Sequence, residues 1–254
     1  MTCHIEYHAP KDLLAGKTIV VTGAGSGIGR GAALAYAAHG ATVVLMGRTL
    51  SKLEAVYDEI EKAGGPQPAI IPIHFEGATY HDYELIAEKL GEAFGVLDGI
   101  LFNASVLGQR TTLGQYDVET WNQVMQVNVN SHFYLTKALL PLLERSADAS
   151  IIYTSSSVGR KGRAYWGAYA ISKFATEGMM QTLADELENT TRIRVNSINP
   201  GGTRTPMRAN AYPAENPLDV RAPEEIMGTY LFLMGKDSQG LTGQAFDAQP
   251  PKKA

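Results

Sequence analysis

Tyr169 and Lys173 stand four residues apart in a stretch, Tyr165 to Leu187, made mostly of helix formers with no internal proline. On a helix that spacing puts both side chains on one face, about 6 Å apart along the axis. With a reference pKa near 10, only about one phenol in a thousand is ionised at neutral pH, which makes an unassisted tyrosine a poor base but a serviceable proton donor. A unit positive charge at about 6 Å, in an effective dielectric near 20, is worth about 3 kcal/mol, or about two pKa units towards neutrality. Ser156 lies thirteen residues before Tyr169, just past a β-branched run ending at Tyr153, where its hydroxyl can orient a carbonyl oxygen that Tyr169 protonates. Asn128, within Val127-Asn128-Val129-Asn130 in a long helical run, can hold a water or a backbone distortion through its amide. A Tyr-x-x-x-Lys pair alone is a common chance pattern. In the company of Ser156 and Asn128 it reads as machinery for moving a proton at a carbonyl or alcohol oxygen.

A second constellation lies near the start of the chain. Thr22-Gly23-Ala24-Gly25-Ser26-Gly27-Ile28-Gly29 follows an apolar run and opens a helical pattern, Arg30-Gly31-Ala32-Ala33-Leu34. Between a strand and a helix, such glycines permit a tight turn, let the backbone approach a pyrophosphate and aim helix N-terminal amides at its charge. In an NAD-binding unit an acidic residue about twenty positions on accepts hydrogen bonds from the adenosine ribose. Here that place reads Met46-Gly47-Arg48-Thr49, and no carboxylate occurs between His39 and Lys52. The planar guanidinium of Arg48 can pair a ribose 2′-phosphate, so NADP (as NADPH when reduced) is the expected cofactor, with Thr49 and Ser26 as additional hydroxyl contacts.

The elements needed to position these residues are legible as an alternation. Runs at Thr18–Val21, Thr42–Met46, Ala69–Ile73, Leu97–Phe102, Ser150–Tyr153, Arg194–Ile198 and Gln244–Phe246 read as strands. Between the earlier runs, helical patterns occupy Gly27–His39, Ser51–Lys62, His81–Phe94 and Val118–Leu143; Tyr165–Leu187 lies between the fifth and sixth. Continuous apolar strands separated by helices predict an α/β fold, a parallel sheet covered on both faces. No repeat or linker divides the chain before the proline-rich tail from Pro250 onward, so a single domain is expected. A substrate-covering segment is expected near residues 203–222, where Met207 to Arg221, with Tyr212, Pro213 and Pro217, is long and irregular enough for a mobile lid.

Composition narrows the classes. The chain has 254 residues, 44% hydrophobic and 19% charged, enough to bury a large core. No window approaches the apolar length of a bilayer span, and Met1 to Lys17, with His4, Glu6, His8 and Asp12, lacks an apolar signal core. A soluble cytoplasmic protein is expected, with no membrane partner. A single cysteine, Cys3, rules out internal disulfides and cysteine-based zinc clusters, and near a frayed terminus it is expected to be inert. The histidine spacings point to no metal. A net charge of −4 and a pI near 5.9 argue against a general nucleic-acid binder.

Thr22 to Gly29, Asn103-Ala104-Ser105, Asn128, Ser156, Tyr169-Ala170-Ile171-Ser172-Lys173 and Asn199-Pro200-Gly201 resemble, in order and spacing, the short-chain dehydrogenase/reductase family over nearly the whole chain. Within it, Ser155–Arg160, Trp166–Tyr169 and Pro200–Thr205 resemble the bacterial YciK-type oxidoreductases. The resemblance implies a Rossmann-like, doubly wound parallel sheet of order 3-2-1-4-5-6-7 and an NADP(H)-dependent carbonyl reductase or alcohol dehydrogenase assembled as a homodimer or homotetramer. It implies that Tyr169 is the acid/base and that Ser156 positions the substrate carbonyl. Lys173 would hold the nicotinamide ribose and lower the tyrosine pKa, with Asn128 supporting a water relay to Lys173. Gly23, Ser26, Gly27, Ile28 and Gly29 form the phosphate turn. Asn103 and Ala104 would border the cofactor, and Pro200, Gly201, Thr203 and Thr205 would fix its nicotinamide end.

Two positions depart from the family pattern. Ser105 replaces a glycine where the backbone passes close to the cofactor, and Ile73-His74-Phe75 stands where an aspartate commonly contacts adenine. His74 can hydrogen-bond or stack there, or be a plain structural histidine. Association is expected through the helices around Val118–Leu143 and Tyr165–Leu187, where Phe174, Met179 and Met180 lie on more than one face. Arg160, Lys161, Arg163 and Lys173, then Arg204 and Arg208, occur in stretches without acids that flank the expected catalytic residues, so the two expectations are a positive mouth that draws an anionic or strongly electron-rich substrate, or pairing of these side chains with carboxylates from other elements or across a subunit interface. A small-molecule carbonyl or alcohol is the expected partner. A protein that binds NADP(H) without turnover is the alternative.

Overall fold

Because the central strands carry apolar side chains on both faces, helices must cover the sheet from both sides. The computed structural model describes residues 3–4 and 6–250; Pro251 to Ala254 of the proline-rich tail lie outside the described residues. Its strands are β1 (Cys3–His4), β2 (Thr18–Thr22), β3 (Thr42–Gly47), β4 (Ala69–Pro72), β5 (Gly99–Phe102), β6 (Ser150–Thr154), β7 (Arg194–Asn199) and β8 (Ala245–Asp247). All pair in parallel in the order β1-β8-β7-β6-β5-β2-β3-β4. Counted from β2, this is the 3-2-1-4-5-6-7 order. The short β1 is an addition that the sequence did not announce: Cys3 and His4 pair with Phe246 and Asp247, so the backbone there is an edge strand rather than a frayed end.

Alternate residues of each strand feed two cores, as the strand period of two requires. Ile19, Val21, Val43 and Leu45 pack with Tyr36 of α1 (Gly27–Ala38), Leu53 of α2 (Leu50–Lys62) and Tyr230 of α8 (Met227–Met234). Val20, Val44, Met46 and Ile151 pack on the other face with Tyr83 of α3 (Tyr80–Phe94), Leu135 of α5 (Ser131–Leu143) and Leu183 of α6 (Gly167–Glu188). Since β2 is flanked by β3 on one side and β5 on the other, the chain switches direction there, and a crevice opens beyond the strand ends.

Strand and helix bounds fall within two residues of expectation except at one interruption. The helix expected from Val118 to Leu143 is α4 (Val118–Met125), a π-helical turn at Gln126–Asn130, and then α5. A wide turn of this kind takes up one extra residue and is frequent at functional sites. Helix α6 begins at Gly167 rather than Tyr165, because Tyr165 sits at φ +69° and Gly167 at φ +39°. The segment at 203–222 is more ordered in its local geometry than expected. Thr205 caps α7 (Pro206–Ala211) by accepting from the Arg208 amide, and Thr203 bridges in parallel to Arg221.

Candidate active site

The crevice is a cleft of about 570 Å³. Its floor begins at Thr22, whose Oγ1 accepts from the amides of Asn103 (2.9 Å) and Ala104 (3.0 Å), locking the end of β2 to the end of β5. The chain then turns through Gly23 (φ +68°) and Gly27 (φ +54°) into α1, whose N-cap Ser26 makes no side-chain capping bond. The first-turn amides of α1 therefore retain capacity for an anion. Gly29 is a packing requirement: a Cβ there would lie 2.2 Å from the Gly23 carbonyl oxygen and 2.7 Å from Asn103 Nδ2. Gly23, Ser26, Gly27 and Ile28 line the cleft, whereas Gly29 works from behind it.

Arg48 and Thr49 follow β3 onto the wall near this turn and are joined there by Lys52, which no motif marks. Lys52 stands four positions after Arg48 at the start of α2, so the helical period was the available signal. His74 and Phe75 line the same end; the His74 side chain is exposed and 4.0 Å from Glu76. Asn103, Ala104 and Ser105 continue along the wall, and Pro200, Gly201, Thr203 and Thr205 stand at the other end. Gln249, not foreseen, fastens that last loop by donating to the carbonyls of Pro200 and Gly202, both at 2.8 Å. A glycine cradle that admits no side chain, uncapped helix amides and two cations beyond β3 together fit a phosphorylated dinucleotide.

Ser156, Tyr169 and Lys173 meet on this cleft. Ser156 is presented at the end of β6 by a 3-10 turn, and Tyr169 comes from the first turn of α6 with its hydroxyl in hydrogen-bonding reach of Ser156. Lys173, fully buried, donates to the Thr154 carbonyl (2.8 Å), and its Nζ is 5.5 Å from the Tyr169 ring centroid. Burial pushes the Tyr169 phenol up to about 12, with the Ser156 hydrogen bond pulling it partly back. Burial brings Lys173 down to about 8, opposed by the charge of Glu177. Desolvation thus sets the direction of the shift, opposite to the lowering expected from the lysine, and leaves Tyr169 a neutral phenol.

Asn128 does not line the cleft. Buried in the π turn, it accepts from the Val106 amide (2.8 Å) and donates to the Val106 carbonyl and Ser172 Oγ, each at 3.0 Å. Ser172 Oγ in turn donates to the Tyr169 carbonyl at 2.8 Å. The amide staples the wall after β5 to α6. One turn on lies His132, which no motif in the sequence marks. Burial and the Lys173 charge hold its pKa down to about 3, so it is neutral, and its Nε2, 3.1 Å from the Ala104 carbonyl, carries the proton. Its place four residues after Asn128 was the only sequence signal.

Two cations of the expected positive mouth, Arg160 and Arg208, are paired with acids, and Lys161, Arg163 and Arg204 do not line the cleft. Arg160 is turned away into a network with Glu177 (3.0 Å), Asp247 (2.9 Å) and the Phe246 carbonyl. Arg208 forms a two-pronged pair with Glu215 at 2.5 and 2.6 Å. The acids come from α6, β8 and the segment after α7, distant in sequence or beyond the stretches that had looked purely basic. Around Tyr169 the surroundings are instead apolar, with Trp166, Ala211, Leu107, Met207 and Tyr212 packed together.

Comparison with known proteins agrees with this geometry. The chain is 51% identical to the uncharacterized oxidoreductase YciK of Escherichia coli K12 over 249 residues, 98% of each protein. A short chain dehydrogenase homologue of Pseudomonas syringae is 62% identical and superposes with a TM-score of 0.95, over 96% of this chain and 99% of that one. Another from E. coli CFT073, complexed with NADPH, is 52% identical with a TM-score of 0.93, over 95% of this chain and all of that one (100%). The family model for short chain dehydrogenases matches residues 17–216. With its glycine turn, its parallel sheet and its serine, tyrosine and lysine on one cleft, the chain belongs to the short chain dehydrogenase family.

Proposed function

We propose that the protein is an NADP(H)-dependent oxidoreductase that interconverts a small carbonyl compound and its alcohol, with Tyr169 as the acid/base. The observation that carries this reading is the meeting of Ser156, Tyr169 and Lys173 on the cleft that holds the glycine cradle. NADPH in a relative 52% identical supports the cofactor assignment, as do Arg48 and Lys52 in the place where an NAD-binding unit carries an acid. When bound, the cofactor gives or takes the hydride at the carbonyl carbon.

The side chains do the rest. Ser156 orients the carbonyl oxygen, and the Tyr169 hydroxyl donates its proton as negative charge develops there; in the reverse direction the phenolate takes the proton back. Lys173, held by Thr154, places a positive charge behind the ring and limits the cost of that phenolate. Asn128 sets the approach of the Val106 wall to the same helix.

Tyr169→Phe tests the reading because it removes only the hydroxyl. NADPH binding by calorimetry is expected to persist, while turnover of any responsive ketone falls by on the order of 100-fold or more. Unchanged turnover would overturn the reading and favour a protein that binds NADP(H) without this chemistry.

Assembly as a homodimer or homotetramer, with work in the cytoplasm, is part of the same proposal. No described helix is long and apolar enough to cross a membrane. On α5 and α6 the large apolar side chains Phe133, Ile171 and Phe174 are exposed, whereas Met180, also expected to serve association, is in the core. Light scattering that returned only 27.4 kDa would refute the assembly.

A further inference from the structure

We propose that Arg110 is a specificity-determining latch that fastens the wall of an apolar substrate chamber, and that the enzyme takes uncharged carbonyl compounds with a ring-shaped apolar body. The inference rests on the oxidoreductase reading above and names the substrate class of that site.

Three segments far apart in sequence border the cleft beside Tyr169: the loop after β5, the turn before α6, and α7 with the residues that follow it. Arg110 ties them together. Its guanidinium carbon lies 4.5 Å from the Trp166 ring centroid and 5.1 Å from that of Tyr212, while the two rings are 6.0 Å apart and inclined at 50°. One nitrogen donates to the Ala211 carbonyl at the C-terminal end of α7. A planar cation on two aromatic faces is attracted by both, and a cation at a helix C-terminus satisfies a carbonyl that has no partner within the helix. Arg110 itself does not line the cleft. It holds the aromatic wall from outside.

The wall is built at a conformational cost. Trp166 is flanked by Tyr165 and Gly167, both at positive φ, and a Cβ on Gly167 would lie 2.3 Å from the Tyr116 ring. Strain of this kind persists where surrounding structure enforces it, and here it turns Trp166 towards the tyrosine, ring centroids 5.8 Å apart. Leu107, Met207 and Ala211 complete the chamber. The cations on this half of the cleft, Lys173 and Arg208, are engaged by Thr154 and by Glu215. A substrate carboxylate would lose its water beside cations already engaged by protein oxygens, whereas a flat or alicyclic ring replaces water on apolar and aromatic faces.

The test measures NADPH-dependent reduction of cyclohexanone, its ring-carboxylate analogue, a straight-chain methyl ketone and a straight-chain oxo acid by the full chain and by Arg110→Ala and Arg110→Lys. The neutral ring ketone is expected to exceed its carboxylate analogue in kcat/KM by at least about tenfold. Arg110→Ala is expected to raise KM for the ring ketone about tenfold, leaving kcat and the NADPH affinity within about twofold, and Arg110→Lys is expected to restore little, since an ammonium cannot stack. A second reading needs no substrate. In a Trp121→Phe background Trp166 is the sole tryptophan, and Arg110→Ala should make its fluorescence about twofold more quenchable by acrylamide. Equal or better use of the carboxylate analogues, or of the straight-chain ketone over the ring, would overturn the substrate class. Unchanged KM and quenching in Arg110→Ala, or full restoration by lysine, would overturn the latch. A parent that binds NADPH but reduces none of the four compounds fails the oxidoreductase reading and the substrate class with it, and the quenching measurement still decides the latch.

Discussion

The two ends of the cleft are built in different ways. The phosphate end comes mainly from one continuous stretch, Thr22 to Gly29, in which the strand end, the turn and the helix start are neighbours in sequence. The end beside Tyr169, where we propose that the substrate binds, is assembled from the loop after β5, the strained turn before α6 and the segment around α7, joined through Arg110, Trp166 and Tyr212. A group that every member of a family must bind can be held by a local motif whose geometry travels with its sequence. A group that differs between members is recognised by a surface that exists only after distant segments have packed.

Breaking the junction of the two ends should have the largest effect. His132 holds the Ala104 carbonyl between them, and its pKa near 3 lies far below the ordinary 6.5. The unfolded chain binds this proton at a higher pH than the folded one does, so the stability it supports is present above pH 6.5 and is lost as pH falls through about 3. The loss is expected to be on the order of 5 kcal/mol for this group alone. Denaturant titrations between those limits should show a shallower acid limb for His132→Gln than for the parent; parallel limbs would remove the histidine from the account.

Gly29→Ala should break the phosphate end alone. The added Cβ meets backbone, the Gly23 carbonyl, rather than a flexible side chain, so the turn must shift, at a cost of about 3 kcal/mol. If that cost falls on the cofactor site, NADPH affinity measured by calorimetry should drop by about a hundredfold. The Trp166 fluorescence of the same variant, in the Trp121→Phe background, should match the parent if the two ends are independent.

Arg48→Ala is the smallest change and sharpens the comparison at one group. The side chain is exposed, so its pairing with a 2′-phosphate is partly screened, and NADPH affinity is expected to fall about tenfold. NADH affinity should stay as it was. Equal losses for both cofactors would mean that Arg48 does not read the phosphate.

Sequence by itself determined the parallel α/β class, because continuous apolar strands separated by helical periods must be buried on both faces. It determined the glycine turn and the placing of Ser156, Tyr169 and Lys173, because that placing depends on local spacing: strand end to helix start, and one turn along α6. Tertiary structure decided the rest. Only packing shows that burial, more than the lysine charge, governs the Tyr169 proton. The interruption at Asn128 follows from a partner, Val106, twenty-two residues away. Arg160 and Arg208 looked like a positive mouth until Glu177, Asp247 and Glu215 were brought against them. Arg110, exposed and in a loop, carries no sequence signal, because what makes it matter is two aromatic rings and a helix end supplied by distant parts of the chain. Charge pairing, desolvation and aromatic contact depend on distances through space, and a one-dimensional pattern records those distances only where the backbone itself fixes them.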